Sequence, residues 1–457
     1  MNHAHATRLG RAVIISIAAA AAILATGCSG SPKTTSSTAP VAPKGRYAFW
    51  PQFPEEPRVQ FVRSIANSED VSEKGQSDFD KLVFGKQARD SEALNKPYGV
   101  AMHDGKLYVC DIRAECLTVL DIKKKQTRLV GVNGMMALKR PVAVAVADDG
   151  MIYVADNDKG SIFVFDAQER YLRVMGHPKL KPAGVAVFGD RLYVTDLGSQ
   201  SVEWYNRKTG EQGGSWGAVG DGDGEFRLPL GIAIDTKGDV FVADMMRCRI
   251  QKFTADGKFI SGFGSVGDFS GAFVRPKHIA VDADGVIYVV DAAFQNVQMF
   301  DSEFHLLMHF GSDGSFPGAM NLPAGICVSS QGIDLLADRI SPGFKATRLV
   351  IVTNQFGNMP VSIYAVGGLR EGYSAADLAA SALAIPSGVG EGAKNILQSP
   401  TPGSDAVPVP GEGPRPGTPA PAGDAPTKSP AQPAPAAAPA AAPAAPPPSS
   451  PAPAKPK

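Results

Sequence analysis

Apolar residues in this chain fall in short runs broken by clusters of Asp, Gly, Lys and Thr. Between Pro229 and Gly264 there are four such runs, Gly231–Ile234, Val240–Ala243, Ile250–Phe253 and Phe259–Phe263. They are separated by turn formers such as Asp235-Thr236-Lys237-Gly238 and Ala255-Asp256-Gly257-Lys258. Runs of this length with Gly-containing breaks predict strands joined by tight turns, so the stretch reads as one four-stranded antiparallel sheet. The same pattern begins again at Pro97, Pro141, Pro182, Pro229, Pro276 and Pro323. A four-stranded unit that returns with a period of roughly 40 to 50 residues predicts a β-propeller. The expected fold is therefore all-β: six four-stranded antiparallel blades in a ring.

The last repeat is one strand short. After Pro323 come Gly325–Val328, Leu349–Val352 and Val361–Val366, and the pattern ends at Gly367-Gly368. Ahead of the first repeat, Arg58–Ile65 alternates like a strand and has no sheet of its own. An open edge is a liability that propellers avoid, so this N-terminal strand is expected to complete the last blade and close the ring. The insertion Gln331–Arg348 in the sixth repeat breaks the pattern and is a candidate recognition loop.

The two ends differ from this middle. Arg8 and Arg11 precede an apolar run, Ala12–Ala25, that is short for a membrane span and suits the core of a signal peptide. Leu24-Ala25-Thr26-Gly27-Cys28-Ser29 resembles a bacterial lipobox, which implies cleavage before Cys28 and lipid attachment to it. More than one acyl chain gives stable anchoring without a transmembrane helix, and Ser29, where an inner-membrane protein tends to carry aspartate, favours the outer membrane. The expected organisation is a signal peptide over 1–27, a flexible tether over 28–56, the propeller over 57–370, a short helical extension over 371–395 and a disordered Pro/Ala-rich tail over 396–457. In the extension, Ser374 and Asp377 are spaced for a capping box.

Charge adds little. Lys plus Arg and Asp plus Glu each total 45 in 457 residues, a balance that does not point to nucleic acid. Cys110 and Cys116 flank a five-residue connection, a sterically feasible disulfide in an oxidising compartment, while Cys248 and Cys327 read as small buried residues.

Internal repeats separate scaffold from site: what recurs in most blades serves the blade. Asp111, Asp156, Asp196, Asp244 and Asp291, with Asn354 in the sixth repeat, all end a second strand and are expected to accept hydrogen bonds from nearby turns. The acidic run Asp221–Glu225 sits in an inter-blade connection that recurs without its acids, and it lacks the remaining ligands of a calcium loop. Lys96, Arg140, Lys181 and Arg275 precede the repeat prolines and, with Arg113, Lys159 and Arg247, make a solvated basic rim; an anionic partner is the alternative. Two residues beyond the repeat prolines stand Gly99, Ala143, Gly184, Gly231, His278 and Gly325, so His278 is expected to project at the channel mouth. Ligand-face candidates are Tyr98, Arg113, Met245, Met246, Arg247, His278, Phe294, Gln295 and Asn296. Neither a three-histidine zinc set nor a Ser-His-Asp or Cys-His constellation falls on this register, so no metal, cofactor or catalytic residue is assigned.

The motifs P-x-G-[IV]-A-[VI], [LIV]-[YF]-V-x-D and [IV]-x-x-[FY] between Pro97 and Val366 resemble the NHL repeat. With Trp50-Pro51, Glu55–Val59, Phe61–Ile65 and Val290–Gln298, the chain is similar to bacterial six-bladed NHL-type propeller lipoproteins, a resemblance that implies a cell-envelope protein without a defined activity. The expected function is a lipid-anchored, non-enzymatic binding or scaffolding module whose loop face meets an envelope protein, peptide or polysaccharide. The alternative is a lactonase-type hydrolase or lyase with a metal at the channel mouth.

Overall fold

A computed structural model describes residues 46–72 and 93–385. The signal peptide, Cys28, most of the tether and the Pro/Ala tail lie outside the described residues, as does the stretch 73–92. The rest forms six antiparallel sheets arranged as the blades of a propeller. The inner strands are Pro97–His103, Pro141–Val146, Pro182–Phe188, Pro229–Ile234, Pro276–Val281 and Pro323–Ser329, each opening on a repeat proline. That placement fits a residue with no N–H: the proline starts the strand, where no ladder donor is needed.

Ring closure follows the count of strands. Strand β1 (Phe49–Trp50) and strand β2 (Val59–Ile65) form the outer part of the sixth blade. In that blade β2 runs antiparallel to Val361–Leu369, with Val59 opposite Val366 and Ile65 opposite Val361. Phe49–Trp50 lies upstream of the expected domain boundary and belongs to the sheet, because its rings have a core to enter. Trp50 packs 5.9 Å from Tyr364, and Phe61 packs 5.6 Å from the same ring. The buried Tyr364 hydroxyl donates to the Gly318 carbonyl at 3.0 Å, so the seam is both apolar and polar-satisfied.

Blades interlock through the two faces of each inner strand. Residues three and five beyond the proline pack on the preceding blade, and those two and four beyond it meet the following one. Thus Val185 and Val187 of blade three share a cluster with Ala143 and Ala145 of blade two. At the glycines of this column the packing leaves no room for a side chain: a Cβ on Gly325 would lie 2.1 Å from the Tyr98 carbonyl oxygen, and one on Gly231 2.6 Å from the His278 Cα. The recurring glycine is therefore a close-approach residue between blades.

The insertion in blade six joins its first and second strands, which places it on the face opposite the inter-blade connections. It forms a 3-10 helix, Asp334–Arg339, and buries Leu336, Ile340 and Phe344. Gln60 ties it to β2, donating to the Arg339 carbonyl at 3.0 Å and accepting from the Ser341 N–H at 2.9 Å. Through these contacts it covers the closing seam. Helix α1 (Ser68–Ser72) follows β2, and helix α2 (Ala375–Ala379) begins with the capping box of Ser374 and Asp377 and buries Leu378.

Candidate functional site

The recurring second-strand carboxylate decides what the loop face can do. Asp111 accepts from the backbone N–H groups of Asn95 and Lys96 in the incoming connection and of Arg113 and Ala114 in the next loop, at 2.6 to 3.1 Å. Asp291 does the same with Val274, Arg275, Ala293 and Phe294. Asn354 stands in for the carboxylate in blade six, accepting from Asn321 and donating to the Met359 carbonyl. These side chains staple each connection to the neighbouring loop. Burial raises the Asp291 carboxyl above the usual range, and its backbone donors oppose that rise.

The channel mouth is built differently from the expectation. His278 carries a half-buried side chain at a close-approach position of the inner strand. Its Nδ1 lies 3.2 Å from the Ile279 carbonyl, which makes Nδ1 the protonated nitrogen. Desolvation pushes this imidazole down to about 4, against the pull of the carbonyl bond.

The residue that does occupy the mouth is Lys277, which is not among the candidates the sequence suggests. Its Nζ reaches past blade six, donating to Gln355 Oε1 at 2.9 Å and standing 5.6 Å above the Tyr98 ring of blade one. Lys277 and Gln355 are both buried. Burial raises the Tyr98 hydroxyl above its ordinary range. A lysine, an amide and a phenol thus bridge three blades. The repeat carries a signal for it: the residue after the proline is Tyr98, Val142, Ala183, Leu230, Lys277 or Ala324, and only one of these is cationic.

The other candidates divide. Met246 and Arg113 are exposed on the loop face, and Met245 is half-buried beside them. Arg247 is exposed and pairs with Asp221 at 3.3 Å, where Arg227 also binds at 2.8 Å. That pairing, led by Arg227, holds the Asp221 carboxyl below its usual range. Asp221 is therefore an arginine partner, while Glu225 turns back to the Gly222 N–H at 2.8 Å. Phe294 and Asn296 are buried, which takes them away from a ligand face, and Gln295, half-buried, accepts from the Leu322 N–H at 3.3 Å. Exposed apolar side chains outside the candidate set, among them Val219, Val266, Phe269 and Phe356, stand on the same face as Met246.

Cys110 and Cys116 are free thiols, and the hairpin register explains why. Cys110 lies opposite Leu117 and Cys116 opposite Asp111, so the two cysteines alternate to opposite faces of the blade. Concavities of about 180 and 230 Å³ lie on the turn face, sharing Asp104; neither includes a loop-face candidate.

The chain is a six-bladed β-propeller built of four-stranded antiparallel blades. Residues 226–253 match the NHL repeat. Over 47 residues the chain is 49% identical to protein lin-41 of Caenorhabditis elegans, a span that is 10% of this chain and 4% of that protein. Similar solved structures include streptogramin B lyase, 14% identical over 60% of this chain and 94% of the other, with a TM-score of 0.42. A Bacteroides thetaiotaomicron protein of unknown function is 17% identical over 68% and 76%, TM-score 0.47. Regucalcin of Agrobacterium tumefaciens is 13% identical over 62% and 94%, TM-score 0.41.

Proposed function

We propose that this propeller is a binding or scaffolding module of the bacterial cell envelope, held at the outer membrane by lipid on Cys28, that presents its loop face to another envelope protein, peptide or polysaccharide and carries out no reaction of its own. The supporting observation is the exposure of Val219, Met246, Val266, Phe269 and Phe356 on that one face, at 52 to 65% of their full surface. Exposed apolar side chains gathered on one face mark contact surfaces. The rival hydrolase or lyase reading needs a metal beside His278. Among the described residues, the groups with metal-ligand spacing are His177, Asp196 and Glu203, and Asp301, Glu303 and His305, and neither contains His278.

Site-specific photocrosslinking in cells tests the face. A crosslinking residue at Met246 or Phe269 should yield a discrete adduct, and one at Leu172 on an outer strand should not; equal labelling at both would remove the assignment. Cys28→Ser should shift the protein from the membrane to the soluble fraction, and unchanged membrane association would remove the anchor.

A further inference from the structure

Position three of the third strand shows a departure that the loop-face reading does not use. In blade four this residue is Gln251, whose amide accepts from the Gly224 N–H at 2.9 Å and donates to the Glu225 carbonyl at 2.8 Å. In blade five it is Gln298, which accepts from the Gly271 N–H at 3.0 Å and donates to the Ala272 carbonyl at 2.8 Å. A neutral amide thus clamps the incoming connection. Blade three has Glu203 in the same register, opposite Val194 as Gln251 is opposite Val242 and Gln298 opposite Val289. Its incoming connection contributes a side chain in place of a backbone pair: His177 Nε2 lies 3.0 Å from Glu203 Oε1.

The exchange of amide for carboxylate puts a second charge where one was already buried. Glu203 is 4% exposed and Asp196 1% exposed, and one carboxylate oxygen of each and a ring nitrogen of His177 lie within 4.8 Å of one another. The contacts of Glu203 are His177 and the Tyr205 hydroxyl, which donates at 2.5 Å. Asp196 accepts from Ser199 and from backbone N–H groups of Lys181, Gly198 and Ser199. Among the described residues, the basic side chain within this cluster is His177, which meets Glu203 through a hydrogen bond. Two buried carboxylates facing one imidazole are costly without a cation of higher charge.

We propose that His177, Asp196 and Glu203 form a binding site for a divalent transition metal, Zn²⁺ by its donor set, that fastens the connection between blades two and three to blade three. One imidazole and two carboxylates are within the ligand types that Zn²⁺ takes, and a fourth position remains for water or an oxygen donor from a ligand. The His177 side chain is 34% exposed, which gives the ion a path from solvent. The Lys179 N–H donates to His177 Nδ1 at 3.2 Å, so the ring proton is on Nε2 in this arrangement. Metal entry moves that proton to Nδ1 and gives up the long Lys179 contact; the Nε2–H bond to Glu203 is replaced by coordination. The site lies in the seam between blades two and three, away from the axis, and is independent of the loop-face reading.

The test is calorimetric titration of the full-length, metal-stripped protein with Zn²⁺ alone, with thermal melting alongside. Glu203→Gln restores the residue type of blades four and five, so it is expected to fold with the wild-type melting temperature in the absence of metal. One Zn²⁺ should bind per chain and raise the melting temperature; Glu203→Gln and His177→Ala should weaken binding at least about tenfold and abolish the rise. His305→Ala, in the exposed Asp301–His305 turn, should leave binding unchanged. Absence of stoichiometric Zn²⁺ binding, binding indifferent to Glu203→Gln and His177→Ala, or loss of binding in His305→Ala would each overturn the assignment.

Discussion

The sharpest consequence of the inner-strand packing concerns acid. His278 is held neutral by desolvation, with its pKa lowered from 6.5 to about 4. In the unfolded chain the same imidazole gains a proton near pH 6.5, so the unfolded state binds more protons between the two values. The sign follows: the contribution of this residue is fully present above the unfolded pKa and is lost as pH falls toward the folded one. A pKa displaced by one pH unit corresponds to about 1.4 kcal/mol, which gives a loss of about 2 kcal/mol by pH 5 and about 3 kcal/mol by pH 4. The comparison is with His278→Asn, whose amide N–H can still donate to the Ile279 carbonyl and which does not titrate. Urea unfolding followed by fluorescence of Trp50, Trp204 and Trp216 should be measured for both proteins from pH 8 to pH 4. Titrations common to both, including those of Asp244 and Asp291, cancel in the difference. The wild type should lose stability relative to the variant across this range. A difference that stays flat from pH 7 to pH 4 would refute the reasoning, because it would mean that the imidazole charges as readily in the folded chain as in water.

Further outcomes follow from the same packing. Asp291→Ala strips four backbone N–H groups of their acceptor and should cost several kcal/mol, whereas Asp291→Asn, the residue type of Asn354 in blade six, should cost much less; thermal melting distinguishes them. Phe61→Ala empties a fully buried position against Tyr364 in the closing blade and should destabilise by about 3 to 5 kcal/mol in denaturant unfolding. Gly325→Ala should destabilise by about 1 to 3 kcal/mol, because the new methyl meets the Tyr98 carbonyl. Cys110 and Cys116 should both be alkylated by iodoacetamide in denatured, unreduced protein as read by mass spectrometry, and in the native state Cys116, whose thiol burial pushes up to about 11, should resist alkylation.

The fold is legible because the features that announce it are backbone necessities repeated six times. A proline can begin an inner strand, a carboxylate can satisfy the N–H groups of two adjoining turns, and an orphan strand must find the blade that lacks one. The site is less legible for reasons of geometry. A repeat shows which column a residue occupies, but not the direction in which that column points. His278 is the odd member of a glycine column, yet the column faces the next blade's backbone, so the glycines are there to let strands approach and not to keep a channel open. The parity of connections governs the insertion in the same way: a segment between first and second strands emerges on the turn face, where it meets Gln60 and the closing strand.

Two further columns hold the remaining information. Lys277 is the cation in a column otherwise filled by Tyr98, Val142, Ala183, Leu230 and Ala324, and it spans the mouth by contacting residues of two other blades. Glu203 is the acid in a column that carries Gln251 and Gln298. Both substitutions add charge at a buried position whose counterparts are neutral, and burial makes charge expensive unless a specific partner meets it. For Lys277 that partner lies within the chain, in the Gln355 amide and the face of Tyr98. Glu203 and Asp196 accept from hydroxyl and backbone N–H groups, and among the described residues the basic side chain that meets the two carboxylates is a single imidazole. This asymmetry is why the inference of an ion attaches to blade three and not to the channel mouth: the same rule, applied to two departures from one repeat, finds one already answered by the fold and the other still short of positive charge.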